Sequence, residues 1–567
     1  MRTSRTLPHP LTMAMTLLTA TVLAACGGGG DDSTPQSVST GTPVTATPTT
    51  GTTTTGTTTA TNNPLTPACT GCGTVDANTY AGHGVGVWQV ANASDAAVEV
   101  PLSIAGLTGQ DVTLVFTNQT ASAQPMPMIS LTAASYQYPN LAASMLQLQS
   151  ATDNAKARIS QFNHDGWVAH AGTRGSGARF SMLRVPSQSI VNETKTWYHE
   201  DNTARPATLV RQTTASDGTT INFWVENSEN DGTKVSPAIV DALVSAFVPA
   251  GKIYDMLKSV GGPMWGPHNY SKLLAPTAQP IDIVILNFDN NNTPFGLLGY
   301  FYARNALLRD ATNPYSNQSV SLYLDSETLY LGGTTGLKSM LMAMAHEGMH
   351  MQNYYRRGVV GGASFMLDTW LEEATAMMME DFASDAIDPS FNNVRDVRFP
   401  HYIAYQSGSY NCSLLDWTPF GAGCDSYAVS GSFGGFLDRQ LGLTFFKNLL
   451  ANRSSTDTVA VLDAAIKSVA PSSGFTDQLC RFTATASALM PAATSPMGYG
   501  FPPRTEGDFR LPMIDPQAQA PYRTLTQSVP TTLQPYASLP VVRKAVSGVY
   551  SESVKLPAGT TLSVVIQ

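Results

Sequence analysis

At 567 residues, 43% of them hydrophobic, the chain is long enough for three or four domains with substantial cores, so burial does not limit the fold. Only 13% of residues are charged and the formal net charge is -9, which offers no basic surface to a phosphate backbone and argues against nucleic-acid binding. Peptides or proteins are the expected partners.

In chain order, Arg2 and Arg5 precede an apolar stretch over 11–25 that ends in Leu23-Ala24-Ala25-Cys26. The stretch is too short and wrongly flanked for a membrane span. It resembles a bacterial lipoprotein signal, which implies removal of residues 1–25, lipidation of Cys26 and anchoring to a membrane outside the cytoplasm. An ordinary secretory signal is the alternative, and Gly27 rather than Asp after the cysteine favours the outer membrane or cell surface. Residues 26–67 are the lipidated cysteine and a Thr/Gly/Pro-rich run that cannot bury a core, and they read as an extended tether.

Six cysteines less Cys26 leave five, an odd number for an oxidising compartment. Cys69 with Cys72 and Cys412 with Cys424 are the candidate pairs, and Cys480 is the expected leftover. From 68 to 190, short alternating apolar runs such as 98–104 and 112–116 between Gly, Asn, Asp and Pro predict a small β-rich domain. Over 192–333, strand-like runs (220–226, 281–288, 319–325) alternate with helical patterns (237–261, 296–309). Asp289-Asn290-Asn291-Asn292 reads as a turn closing the preceding strand, and calcium has no support there.

The next segment carries chemistry. His346-Glu347-Gly348-Met349-His350 places two imidazoles one helical turn apart on one face, with a carboxylate beside them. That arrangement predicts a catalytic zinc site holding one ion on His346 and His350, with Glu347 as general base. The helix is expected to start at Thr334 or Thr335 and to stop at Arg356-Arg357-Gly358, and its methionines read as core filler. A second helix over 369–382 offers the third ligand. Thr369-Trp370-Leu371-Glu372 fits a capping box that would occupy Glu372, which leaves Glu373 to face the metal. Glu380 and Asp381 lie about two turns further on and are expected behind the ligands, accepting a hydrogen bond from a ligand imidazole.

The pattern with a third histidine would need Gly at 353 and His at 356, where Asn353 and Arg356 stand. What remains resembles the glutamate-zincins. The string from His346 to Tyr355, with Thr369 to Glu373 and Glu380-Asp381, resembles the hyicolysin family of bacterial zinc metallopeptidases. The likeness is specific over 340–382 and loose over about 200–480. It implies a thermolysin-like catalytic architecture hydrolysing peptide bonds. Tyr427, opening a helix that runs to Leu441-Gly442, is placed like the oxyanion-donating tyrosine of related aminopeptidases; His401, Tyr402, Tyr405 and Tyr410 are rivals.

The expected fold is multidomain: an α+β zincin catalytic domain over 191–500, with a mixed-sheet subdomain and a helical subdomain. Small β-rich domains flank it at 68–190 and 501–567. The expected function is a zinc metallopeptidase, with endopeptidase action the first expectation. The alternatives are a non-catalytic surface-binding lipoprotein with a vestigial zincin domain, or an aminopeptidase-type exopeptidase.

Overall fold

Alternation of apolar and polar residues from Val98 sets up one long strand, Val98–Asn118, whose first half buries about every second residue and whose end is buried throughout. In the computed structural model, which describes residues 64–131, 149–175, 189–405, 408–419 and 423–567, its partners are remote in sequence. Ser538–Leu556 pairs with it antiparallel along its length. Thr560–Ile566 inserts between it and Gly86–Asn92, and with Thr66–Pro67 these strands form a five-stranded antiparallel sheet.

This corrects the expected separation of a β-rich domain over 68–190 from a module over 501–567, because both regions contribute to one sheet. Alternation specifies a strand and its buried face, but not the partner that completes the sheet. Nor does the sheet stand apart from the helices. Thr117 and Thr483 hydroxyls meet at 2.7 Å, and Val87 packs with Ala484 of the helix Phe475–Ala488. Cys69–Cys72 and Cys412–Cys424 are bridged, and among the described residues Cys480 is free and buried. The expected leader, Cys26 and most of the expected tether lie outside the described residues; its last residues do not remain a tether, because Leu65 is buried and Thr66–Pro67 joins the sheet.

Residues 149–164, expected within the β-rich region, form the helix Gln149–His164, called here the covering helix. Among its described side chains, Ala155 and Ile159 are buried, at helical spacing. Their small apolar face gave a weak signal. A 3-10 turn, Gly166–Ala169, follows and buries Trp167.

The second sheet has six strands in the order Thr194–Tyr198, Ala204–Thr214, Thr220–Glu226, Ile281–Leu286, Val320–Asp325 and Gly299–Phe301. Ile281–Leu286 is parallel to both neighbours, while the outer pairs are antiparallel. Val320–Asp325 is buried at every residue and lies inside the sheet. A continuous apolar run is the mark of a central strand. The edge strand is Gly299–Phe301, too short to show a period, in a stretch expected to be helical. The Asp289–Asn292 segment is a loop whose Asn291 and Asn292 N–H groups donate to Glu327 at 3.2 and 3.0 Å.

Behind the edge strand His199 is buried, stacked 4.8 Å from Phe288 and with Nδ1 3.0 Å from the Tyr300 hydroxyl. Burial, opposed by Asp201 and assisted by Arg205 and Arg304, pushes its pKa from 6.5 down to about 4. The folded state therefore favours the neutral ring. Its contribution is intact above the unfolded value and is lost as pH falls through the folded one. Stability is expected to drop by about 3 kcal/mol between pH 6.5 and 4 on this account. Denaturant midpoints measured across that range test it, and a flat profile would contradict it.

Three further helices shape the cleft. The histidine helix, Gly333–Asn353, ends in a π-helical turn, Tyr354–Val359, and buries Met340, Met342, Met344, Met349 and Met351. The glutamate helix, Thr369–Ile387, packs against it. The tyrosine helix, Ser426–Ala451, packs on the glutamate helix and is kinked at Gly442, whose φ of 80° few side chains tolerate. A fully buried ion pair, Asp381 with Arg439, joins these last two.

Candidate metal centre

Helical spacing puts His346 and His350 on one face of the histidine helix, their rings 4.7 Å apart. Glu373, in the first turns of the glutamate helix, faces both. Its Oε2 lies 3.1 Å from His346 Nε2 and 3.7 Å from His350 Nε2. One donor atom from each of the three residues falls within 4.8 Å of the others, a grouping able to hold a metal ion.

The other nitrogen of each ring is held by a separate carboxylate. His346 Nδ1 lies 2.6 Å from Glu380 Oε1, and His350 Nδ1 lies 3.1 Å from Glu372 Oε1. Because a carboxylate can only accept, each Nδ1 carries a proton, which leaves each Nε2, facing Glu373, as the ring atom that would meet a metal ion. Glu380 accepts in turn from Asn393, and Glu372 from Asn353 Nδ2 at 3.0 Å.

Two expectations about these carboxylates need correction. Glu372 does not close a capping box, because the N-cap is Asp368 and makes no side-chain cap bond. It orients His350 instead. Asp381 does not reach either imidazole of the cluster; it binds Arg439 and accepts from Asn392 Nδ2 at 2.6 Å. Adjacent helical residues point about 100° apart, so only Glu380, seven residues on, shares the face of Glu373.

Electrostatics fit a cation here. Burial lowers the pKa of His346, but hydrogen bonds to Glu373 and Glu380 outweigh it and hold the ring at about 9. His350 is likewise raised well above 6.5, against burial, by Glu373 and Glu372. Glu373, despite burial, is held below the usual carboxylate range by the two histidines. Two imidazoles and a carboxylate gathered in this way are the donor types that a divalent ion can take from protons.

Glu347 is buried beside the cluster, and its Oε2 accepts from the Phe301 N–H of the edge strand at 2.8 Å. Burial raises its pKa, with His346 and His350 opposing. A Cβ on Gly299 would stand 2.8 Å from the Tyr323 carbonyl oxygen and 3.3 Å from Glu347 Cγ, so the glycine leaves room for this carboxylate. No sequence signal marked Gly299, Phe301 or Asn393.

The cluster opens into a cleft of about 220 Å³, whose lining includes Tyr427, His401, Arg398, Gly299 and Asn163. Burial and the charges of Glu373 and Glu347 raise the Tyr427 phenol well above 10, against Arg398, so it remains an O–H donor. His401 Nδ1 lies 3.2 Å from Asp425, the residue that caps the tyrosine helix. Tyr402 and Tyr410 are buried against each other with ring centroids 5.3 Å apart, and they line a separate small cavity. Tyr405 stacks on His401.

The family profile described as Peptidase M30 matches residues 201–567, which include the whole cluster. A profile described as a domain of unknown function (DUF8571) matches residues 67–131. Among curated proteins, a neutral metalloprotease, ShpI, of Staphylococcus hyicus is 29% identical over 177 residues. That similarity covers 30% of this chain and 38% of the relative.

Proposed function

This chain belongs to the peptidase M30 family, and from that premise we propose that it is a zinc-dependent metallopeptidase that cleaves peptide bonds within peptides or proteins. The observation that carries the reading is the convergence of His346 Nε2, His350 Nε2 and Glu373 Oε2 beside buried Glu347. Two imidazole nitrogens and one carboxylate oxygen, with both rings oriented from behind by Glu380 and Glu372, form a donor set that suits zinc and leaves a fourth position open. When bound, the ion supplies Lewis acidity that lowers the pKa of water and polarises the scissile carbonyl.

The chain's own groups do the rest. Glu347 accepts the proton of the attacking water, a transfer that its burial favours by raising its pKa, and then passes that proton to the departing amine. Tyr427 donates its phenolic proton as a hydrogen bond to the developing oxyanion. His401, held through Nδ1 by Asp425, stands in the same cleft as the second donor. Tyr427→Phe is expected to lower kcat by roughly 10²–10³-fold with little change in KM, as for loss of one oxyanion donor. An unchanged kcat would transfer the role to His401.

Internal cleavage is favoured over aminopeptidase action by the state of the acidic residues in the cleft. Glu347, Glu372, Glu373 and Glu380 are each engaged by Phe301, His350, the two ligand histidines and His346 respectively. Among the described residues lining the cleft, they leave no uncommitted carboxylate for a free α-ammonium group. The architecture, a mixed sheet with a short antiparallel edge beside the paired helices, supports a zincin-like arrangement.

For location, the lipobox-like Leu23-Ala24-Ala25-Cys26 supports lipid anchoring through Cys26 outside the cytoplasm, and the two disulfides suit an oxidising compartment. Among the described residues no helix is long and apolar enough to cross a membrane. Radiolabelled palmitate should enter the wild type and not Cys26→Ser. Casein digestion by the mature protein, abolished by a chelator and restored by zinc, tests the activity itself. Binding of casein without cleavage would favour a vestigial site.

A further inference from the structure

The outward main-chain groups of the edge strand are already engaged at one end. Phe301 N–H donates to Glu347 at 2.8 Å, and Phe301 C=O accepts from Asn163 Nδ2 at 2.8 Å. Two residues further along, where the strand has given way to the 3-10 turn Ala303–Ala306, the Ala303 N–H donates to Asn163 Oδ1 at 2.7 Å. One primary amide thus donates to the carbonyl of one residue and accepts from the N–H two residues on. A neighbouring strand makes that same pair of bonds with an exposed edge.

Asn163 sits in the last turn of the covering helix, whose Lys156, Ile159 and Ser160 also line the cleft. The helix is fastened rather than loosely laid. Trp167, fully buried just beyond it, meets Tyr270 and Tyr354 edge-on at 5.2 and 5.3 Å. Phe162 packs edge-on against Tyr302 at 5.3 Å. Arg174 donates to the Val360 carbonyl at 2.9 Å. On the other side of the cleft, Lys156 Nζ lies 4.9 Å from the centre of the Tyr427 ring.

We propose that Asn163 is a specificity-determining residue that ends the substrate-pairing edge. An extended peptide can pair with the strand on the Gly299 side, while the Ala303 side is filled by a side chain that imitates a strand. The favoured substrates are peptides, or chain segments near a terminus, that carry few residues beyond the scissile bond on the Ala303 side. This rests on the reading of the cleft as a peptidase site. A longer peptide must displace two hydrogen bonds held at high effective concentration by the anchored helix.

The test is a nested set of peptides sharing one scissile bond and lengthened residue by residue on each side, with kcat/KM measured on the zinc-loaded protein. In the wild type, kcat/KM should rise with length on one side and stop rising after a residue or two on the other. Asn163→Ala should raise the ratio of kcat/KM for long over short peptides on the restricted side about tenfold, through KM. A wild-type kcat/KM that keeps rising on both sides overturns the proposal without any variant. So does an unchanged ratio in folded Asn163→Ala. If the zinc-loaded wild type cleaves none of the peptides, the peptidase reading falls and this proposal falls with it.

Discussion

Glu347→Gln is expected to fold and to hold one zinc ion like the wild type, yet to lose roughly two to four orders of magnitude in kcat, the range that a positioned general base contributes. The glutamine amide can still meet the Phe301 N–H through its oxygen, so the local packing is retained. It cannot take a proton from water at neutral pH. Metal retention is the essential control, because Glu347 makes no part of the three-residue cluster. Peptidase rates and metal content measured on the same preparations decide the matter, and wild-type turnover in the variant would remove Glu347 from the mechanism.

Glu373→Ala should fail in a different way, by losing the metal. This residue supplies the one carboxylate of the cluster and lies within 3.7 Å of Nε2 of both His346 and His350. Its removal leaves two imidazoles, and zinc affinity should fall by more than the roughly 10–100-fold expected when an orienting carboxylate such as Glu372 is replaced. Native mass spectrometry should find the variant metal-free where the wild type is loaded. Saturating zinc should raise the melting temperature of the wild type by mass action and leave that of the variant almost unmoved. If Glu372→Ala loses the metal and Glu373→Ala keeps it, the two roles are exchanged.

What was legible in the sequence was what depends on local helical geometry. The spacing of His346 and His350, and the seven-residue step from Glu373 to Glu380, place side chains on shared faces whatever the rest of the chain does. Glu372 shows where local logic fails. A capping-box pattern is satisfied in sequence, but at the crossing of two helices His350 and Asn353 compete for the same carboxylate and prevail. Asp381 was grouped with Glu380 as a neighbour in sequence, and the partner that claims it, Arg439, is distant along the chain.

Sheet partners were not legible for a related reason. Val98–Asn118 reads as a strand, but nothing local reveals that Ser538–Leu556 will lie beside it. The edge strand is three residues long, too short for a two-residue period to show. Asn163 is a single polar residue near the end of a weakly amphipathic helix. It gains meaning only from the strand that it meets.

The most direct test of the central claim is a titration of zinc into the metal-free mature protein, with the initial rate of peptide cleavage followed at each addition. Activity should start near zero, rise in proportion to bound zinc and level off at one equivalent per chain, while Glu347→Gln binds the same equivalent without gaining activity. Full cleavage by the metal-free protein, or a rate indifferent to bound zinc, would contradict the assignment of His346, His350 and Glu373 as the catalytic metal site.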